Sequence, residues 1–452
     1  MKLLLMVPVT SFVKDPPAFP DLGIGYIANA VKKGGFTVYL RSWNMNPSIE
    51  DFKTWLKDYQ PDVIGIKVFT KDVAAANETI KIIRSVNQEI LIVLGGPHVS
   101  SVGPDELIED FPFFDFAFQG EAETGFPLLL EGLSGRKTGS YLHDIPGLVW
   151  KTDGKVSSNS RMFVTDLSKL DTPLWELMDP RGYSPPQIIG GENGCLAPMV
   201  VTRGCPANCT YCSAYKINGK AVRTRSAGHV LQEIAYLYSR YNVRQINFMD
   251  TRFTHNEEVV REICEGLLSQ GLRISWECVG YERLDRIDKR MLELMKRAGC
   301  RVITAGIESG SDRIRRAMKK EGTTEDIIEE IRLIKETGIA VHGFFMFGFP
   351  GESEEEMQDT IRFAFSLPLD FIHFDIVCPH PGTEALEYLK MKYNLNRMEW
   401  GIYDVTTSPF SLSELPSDRV FKLMKRAQIK SLLKPANLFR RFRRKYIRMT
   451  GN

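Results

Sequence analysis

Residues 203–212 read RGCPANCTYC, with cysteines at 205, 209 and 212 in the spacing Cys-x3-Cys-x2-Cys. Thiolates are soft ligands that suit iron–sulfur clusters, and short spacing lets one loop wrap one cluster. A four-iron cluster held by three local cysteines leaves one iron without a protein ligand. A substrate-derived chelate can take that position, just as catalytic metal sites keep one place open. Two other readings use the same residues. A structural zinc site needs a fourth donor, for which Cys195 is the candidate in the sequence. A ferredoxin-type electron carrier would usually add a fourth cysteine nearby.

Around this loop, apolar runs alternate with amphipathic ones. Strands are expected at Met199–Thr202, Gln245–Met249, Ile274–Cys278, Val302–Ile307, Val341–Phe347 and Phe371–Val377. Helices are expected at Val230–Tyr241, Glu257–Leu268, Lys289–Arg297, Thr324–Lys335 and Glu354–Phe365. This strand–helix series predicts a partial (β/α)6 barrel, a fold whose chemistry sits on the loops after the strands. Upstream, the same alternation runs through Lys2–Val7, Leu22–Lys33, Thr37–Leu40, Ile49–Tyr59, Val63–Val68, Val73–Val86, Ile90–Leu94, Asp105–Glu109 and Phe114–Phe118. Five buried strands with helices between them predict a doubly wound, flavodoxin-like domain, with ligands beyond the carboxyl ends of the strands.

The expected division is 1–134, a linker at 135–194 with a hairpin over Gly147–Val156, 195–387, and a helical tail at 388–452. The tail ends in KPANLFRRFRRKYIR (434–448). It reads as a solvated or packed helix, or as a peripheral contact with an anionic membrane face or phosphorylated lipid.

The 452 residues are 43% hydrophobic and 25% charged with a net charge of +2, an ordinary globular balance that gives no reason to expect nucleic acid as a partner. The opening MKLLLMVPVTSF is short and interrupted by Pro8, so it reads as a first strand rather than an export signal. Eight cysteines in a chain of this size, three of them clustered, point to a reducing cytoplasm and metal ligands rather than disulfides.

The Cys-x3-Cys-x-aromatic-Cys pattern, with Tyr211 in the aromatic place, resembles the signature of the radical S-adenosylmethionine (SAM) family. The resemblance implies a [4Fe-4S] cluster on Cys205, Cys209 and Cys212, SAM chelated at the open iron, and one-electron cleavage of SAM to a 5′-deoxyadenosyl radical that abstracts hydrogen from substrate. It implies SAM contacts at Asp250 and Thr251 (in NFMDT), at Glu308 and Ser309 (in GIESGS), and at Gly348 and Pro350 (in FGFPGE). Arg223 and Arg225, in VRTRS, suit bidentate pairing with a carboxylate. Taken singly, GIESGS also reads as a helix cap and FGFPGE as a turn. An electron donor such as flavodoxin or ferredoxin is implied as well.

The first domain resembles a cobalamin-binding module through DLGIGYIA (21–28), PDVIGI (61–66), LGGPHVS (94–100) and GEAE (120–123). Gly95, Gly96, Gly120 and Glu121 are then expected at cobalamin, the glycines letting a flat macrocycle approach backbone. The bland reading is a flavodoxin-like domain that binds a nucleotide or nothing. The sequence departs from many such modules: VPVTSFVKD (7–15) holds no histidine where a lower cobalt ligand would stand. His98 is expected to make a local polar contact, and Lys67–Thr70 to face the cobalamin underside.

Together the two cofactors imply methylation of an unactivated carbon through methylcobalamin, on a small-molecule or lipid substrate that the sequence does not name. Related chemistry would be cyclisation or ring rearrangement, and the reading of another class is an inactive cobalamin sensor or carrier. A methylthiotransferase would need further cysteines near the N-terminus, and residues 1–194 contain none.

Overall fold

The computed structural model describes residues 1–9, 19–41, 48–135, 141–152, 155–183, 195–282, 288–320, 322–400 and 410–433. The basic segment after 433, the Asp153-Gly154 turn and residues 10–15 of the histidine-free stretch therefore lie outside the described residues.

The first unit begins with β1 (Lys2–Met6), α1 (Leu22–Lys33), β2 (Thr37–Arg41) and α2 (Ile49–Tyr59). It continues through β3 (Val63–Lys67), α3 (Val73–Val86), β4 (Leu91–Gly95), the short α4 (Pro97–Ser101) and α5 (Pro104–Asp110), to β5 (Phe116–Phe118) and α6 (Gly125–Leu133). The parallel strands run in the order β2-β1-β3-β4-β5. The order reverses at β1/β3, which opens a crevice at the carboxyl ends there. Alternation along β1 explains the two-sided core. Leu3 and Leu5 enter one cluster with Ile24 and Phe126, whereas Leu4 and Met6 enter another with Phe52 and Ile80. Helix α1 starts where the Asp21 carboxylate accepts the Ile24 N–H (3.1 Å) and ends at Gly34, followed by the left-handed Gly35.

The stretch expected to be a linker does more than connect. Its hairpin, β6 (Leu148–Thr152) and β7 (Lys155–Ser158), pairs antiparallel with β5 and extends the first sheet to seven strands.

The second unit opens with β8 (Cys195–Met199), a two-residue strand β9 (Thr202–Arg203), α7 (Ala214–Asn218) and β10 (Arg223–Thr224). Then follow α8 (Ala227–Tyr241), β11 (Val243–Phe248), α9 (Glu257–Ser269), β12 (Ser275–Glu282), α10 (Lys289–Arg297) and β13 (Cys300–Glu308). After α11 (Asp312–Ala317) and α12 (Thr324–Glu336) come β14 (Ala340–Phe347), α13 (Glu354–Ser366), β15 (Phe371–Ile376), α14 (Glu384–Tyr393) and α15 (Ser417–Leu432). Six parallel strands lie in the sequential order β8-β11-β12-β13-β14-β15. Right-handed crossovers in such an order put the connecting helices on one face, and one core cluster joins alternate strand residues such as Ile246, Trp276 and Phe345 to α8, α9, α12 and α15.

The first barrel strand ends where it was expected to begin. β8 contains Pro198, which cannot donate to a ladder, and the strand tolerates it because it is an edge strand paired only with β11. Helix α14 packs Leu386 and Leu389 into the cluster that also holds β1 and α3, so the two units share an apolar core. No helix among the described residues is long and apolar enough to cross a membrane.

Candidate functional site

The cysteine loop is closed at its base by a two-stranded antiparallel ribbon, in which Arg203 lies opposite Arg223 and Thr202 opposite Thr224. Between them, the Cys205 N–H donates to the Gly219 carbonyl (3.0 Å), the Cys212 N–H to the Cys209 carbonyl (3.1 Å), and the Thr251 hydroxyl to the Gly204 carbonyl (3.1 Å). Gly204 has φ +102°, and a Cβ there would stand 2.0 Å from the Ala221 carbonyl oxygen, so the loop admits only glycine.

All eight cysteines are reduced, and Cys205, Cys209 and Cys212 are each half-buried on this one loop. Burial pushes the Cys212 thiol up to about 11, so the thiolate needed for ligation requires the positive charge of bound iron. Among the described residues no three His, Cys, Asp or Glu side chains converge on the position of a single metal ion. A cluster makes no such demand, because each cysteine binds a different iron. The donor set fits a three-cysteine cluster.

Tyr211 turns its hydroxyl to Glu308 (3.1 Å), which also receives the Lys320 ammonium (2.7 Å). Glu308 sits at the end of β13 with φ +69°, a left-handed conformation that costs a non-glycine residue and is found at functional sites. Ser309 is fully buried and shares a hydrogen bond with the Thr360 hydroxyl (3.2 Å). Ser311 caps α11, so the cap reading of GIESGS accounts for Ser311, and the Ser309 hydroxyl also accepts the Ser311 N–H (3.1 Å).

Two expectations need correction. Arg225 is buried and ion-paired to Glu233 (2.6 Å) while donating to the Val200 carbonyl (2.9 Å), so it has no open face for a ligand carboxylate. Asp250 is 1% exposed; one oxygen takes the backbone N–H of Val201 (2.9 Å) and that of Thr202, and it ties the end of β11 to the segment before the cysteine loop. Its neighbour Thr251 is the residue that reaches the cavity. Glu121 pairs with Arg203 (3.2 Å) and Arg223 (2.8 Å) across the two units and also borders the cavity beside Gly95 and Gly96.

The FGFPGE segment is a turn locked by its own glutamate. Glu352 is fully buried, and one of its oxygens accepts the N–H of Gly348 (2.7 Å) and of Phe349 (2.9 Å). Gly348 is left-handed, and a Cβ there would meet Val420 at 3.3 Å, while Pro350 lies half-buried on the same turn. Burial raises the Glu352 carboxyl from 4.5 to about 7, so the folded chain holds a proton that the unfolded chain releases at lower pH. Stability from this group is present below pH 4.5 and is lost as the pH rises to about 7. The loss is on the order of 3 kcal/mol. The Glu352→Gln variant should keep the backbone bonds and show a melting temperature that falls less between pH 5 and 8 than that of the parent. Parallel melting curves would contradict this.

Where the carboxyl ends of β3, β4 and β5 meet the ribbon at the base of the cysteine loop there is a cavity of about 250 Å³, bordered by Gly95, Gly96, Gly120, Glu121, Arg203 and Thr251. A second, of about 630 Å³, shares Leu22, Gly23, Lys67 and Met249 with the first and extends to Phe69 and Tyr183. A Cβ added at Gly95 meets nothing within 4 Å, so this backbone faces open space. At Gly96, with φ +99°, a Cβ would approach the Val68 backbone to 2.9 Å. This glycine-bordered cradle, walled by Leu5, Val93 and Phe126, and the second cavity that shares its border present bare backbone to a flat ligand.

Of Lys67–Thr70, Lys67 lines both cavities and pairs with Asp21 (2.7 Å), while Phe69 lines the second. Thr70 instead faces His98, which is fully buried, bonded to Asp110 (3.0 Å) and edge-on to Trp400: a local contact. The described lining of the two cavities contains no histidine and no cysteine.

Sequence reasoning quoted Arg203 and Glu123 within motifs without giving either a role. The structure joins them at 2.7 Å, with the Arg203 guanidinium over the Tyr26 ring (4.8 Å). The signal was two acids in GEAE and one arginine in RGCP, but partners 80 residues apart are not legible from spacing.

Comparison with known proteins agrees with both halves. Residues 199–364 match the Radical SAM superfamily model and residues 13–130 the B12 binding domain model. An uncharacterized methyltransferase from Pyrococcus horikoshii is 30% identical over 97% of this chain and 94% of its own. An anaerobic magnesium-protoporphyrin IX monomethyl ester cyclase from Cereibacter sphaeroides is 26% identical over 82% of this chain and 61% of its own. Among solved structures, the radical S-adenosylmethionine methyltransferase TsrM from Kitasatospora setae, with cobalamin and a [4Fe-4S] cluster bound, superposes with a TM-score of 0.69 at 19% identity. The match covers 88% of this chain and 76% of that one.

Proposed function

The chain belongs to the cobalamin-dependent radical SAM enzymes, and from that premise we propose that it is a methyltransferase acting on an unactivated carbon. The observation that supports this reading is that the glycine cradle of the first unit and the Thr202–Arg203 ribbon at the base of the cysteine loop border one interdomain cavity. Bound there, a four-iron cluster and cobalamin would supply one-electron cleavage of SAM and a transferable methyl group.

The chain's own residues orient and enclose. Cys205, Cys209 and Cys212 would hold three irons, with the loop fixed by Gly204, Thr251 and the ribbon below it. Tyr211 and Lys320 hold the Glu308 carboxylate in one place beside the cysteines, ready to accept a hydrogen bond from an ammonium group. Gly95 and Gly96 would lie against cobalamin, while Leu5, Val93 and Phe126 keep that side of the cavity apolar and exclude water. The described lining of the two cavities offers no imidazole, so no histidine there would hold the cobalt of a bound cobalamin.

The substrate is a small molecule or lipid, and the electron comes from a donor such as flavodoxin or ferredoxin. The cyclase relative favours a second reading, ring formation with the same cofactors. Incubating the reduced holoenzyme with methyl-labelled SAM separates the two. Label appearing in protein-bound methylcobalamin is the expected result. SAM cleavage to 5′-deoxyadenosine with unlabelled cobalamin would overturn the methyltransferase reading in favour of the second.

A further inference from the structure

The ribbon that closes the cysteine loop has an unusual composition. Its paired residues Arg203 and Arg223 put two guanidinium groups opposite each other, and like charges directly opposite on paired strands destabilise them. Both side chains are largely buried, at 12% and 7% exposure, so water screens the repulsion poorly. The compensating charges come from the other unit. Glu121 lies 3.2 Å from Arg203 and 2.8 Å from Arg223, and Glu123 lies 2.7 Å from Arg203. Tyr26, on α1 of the first unit, stacks beneath Arg203. Two buried cations thus meet two buried anions, and each anion sits on the loop after β5 that borders the cavity.

We propose that Glu121 and Glu123 are positioning residues for the iron–sulfur cluster, supplied by the cobalamin-binding unit: they neutralise Arg203 and Arg223 and so allow the base of the cysteine loop to close. The cluster site is incomplete without the first unit, and one ion network sets the placement of both cofactor sites. The inference concerns the loop alone and holds whichever radical reaction follows.

The experiment uses the full chain, reconstituted anaerobically with iron, sulfide and cobalamin. In Glu121→Gln the two arginines face each other with one anion removed. Iron is expected to leave for a chelator about tenfold faster than in the parent, with a shifted or broadened EPR signal from the reduced cluster. Glu123→Gln should act in the same direction. The diagnostic variant is Glu121→Gln with Arg223→Gln, which removes one cation together with one anion. It should restore iron retention and the parental EPR signal, a rescue that general loosening of the fold would not produce. Parental iron retention and EPR in Glu121→Gln would overturn the proposal. So would a double variant no better than the single one. If Glu121→Gln does not fold, Glu123→Gln and its pairing with Arg203→Gln are read in the same way.

Discussion

Alanine at Cys205, Cys209 and Cys212 together leaves a colourless, folded protein that binds no cluster and cleaves SAM only at background level. The fold should survive because none of the three belongs to the apolar clusters that hold the two sheets and their helices. The Cys205 N–H reaches the Gly219 carbonyl and the Cys212 N–H the Cys209 carbonyl, bonds that alanine keeps, while the Ala214 N–H gives up its 3.5 Å contact with the Cys212 Sγ. Iron analysis and 5′-deoxyadenosine measured on one preparation test this. Iron retained at the parental level with undiminished cleavage would place the cluster elsewhere.

Leucine at Gly95 should do the reverse, removing cobalamin while leaving the cluster. A Cβ at this position meets nothing within 4 Å, so the folded chain has room for it, and the rest of the side chain enters the cavity. A ligand lying against this backbone must then move or leave, and affinity should fall by about 100-fold. The melting temperature and iron content should stay at parental values. Gly96→Leu is the contrast. Its left-handed φ of +99° and the Val68 backbone 2.9 Å from a new Cβ make it a folding defect as well. Titration of both variants with hydroxocobalamin, followed by absorbance, separates the effects. Parental affinity in Gly95→Leu would remove the cradle from the cobalamin site.

Much of the scaffold was legible because long periodic segments carry their own ends. α1, α2, α3 and α10 span the residues where periodicity places them, and the structure shows side-chain caps from Asp21, Ser48 and Asp288 at the starts of α1, α2 and α10. Shorter or less periodic elements were not. α6 (GFPLLLEGL) is apolar nearly all round, and Thr124 at its N-cap makes no side-chain capping bond, so periodicity and capping both fail to mark it. β8 was misplaced by Pro198, whose tolerance depends on an edge position that only the assembled sheet reveals.

The candidate site divides in the same way. The cysteine loop is a local pattern, and local patterns can be read. The fates of Arg225, Asp250 and Glu121 depend on partners brought from elsewhere: Glu233 in the second turn of α8, the Val201 backbone, and an arginine pair in the other unit. A charged residue near a motif reads as a ligand contact until its counter-ion is seen, and burial of an ion pair is a property of the fold.

The most direct test of the account is a crystal of the full chain grown anaerobically with cobalamin and SAM, measured at the iron and cobalt absorption edges. The account predicts an iron peak against Cys205, Cys209 and Cys212, and a cobalt peak in the cavity bordered by Gly95, Gly96 and Thr251, with no protein side chain from the first unit ligating it. A cobalt peak on any other surface, or iron bound away from these three cysteines, would contradict it.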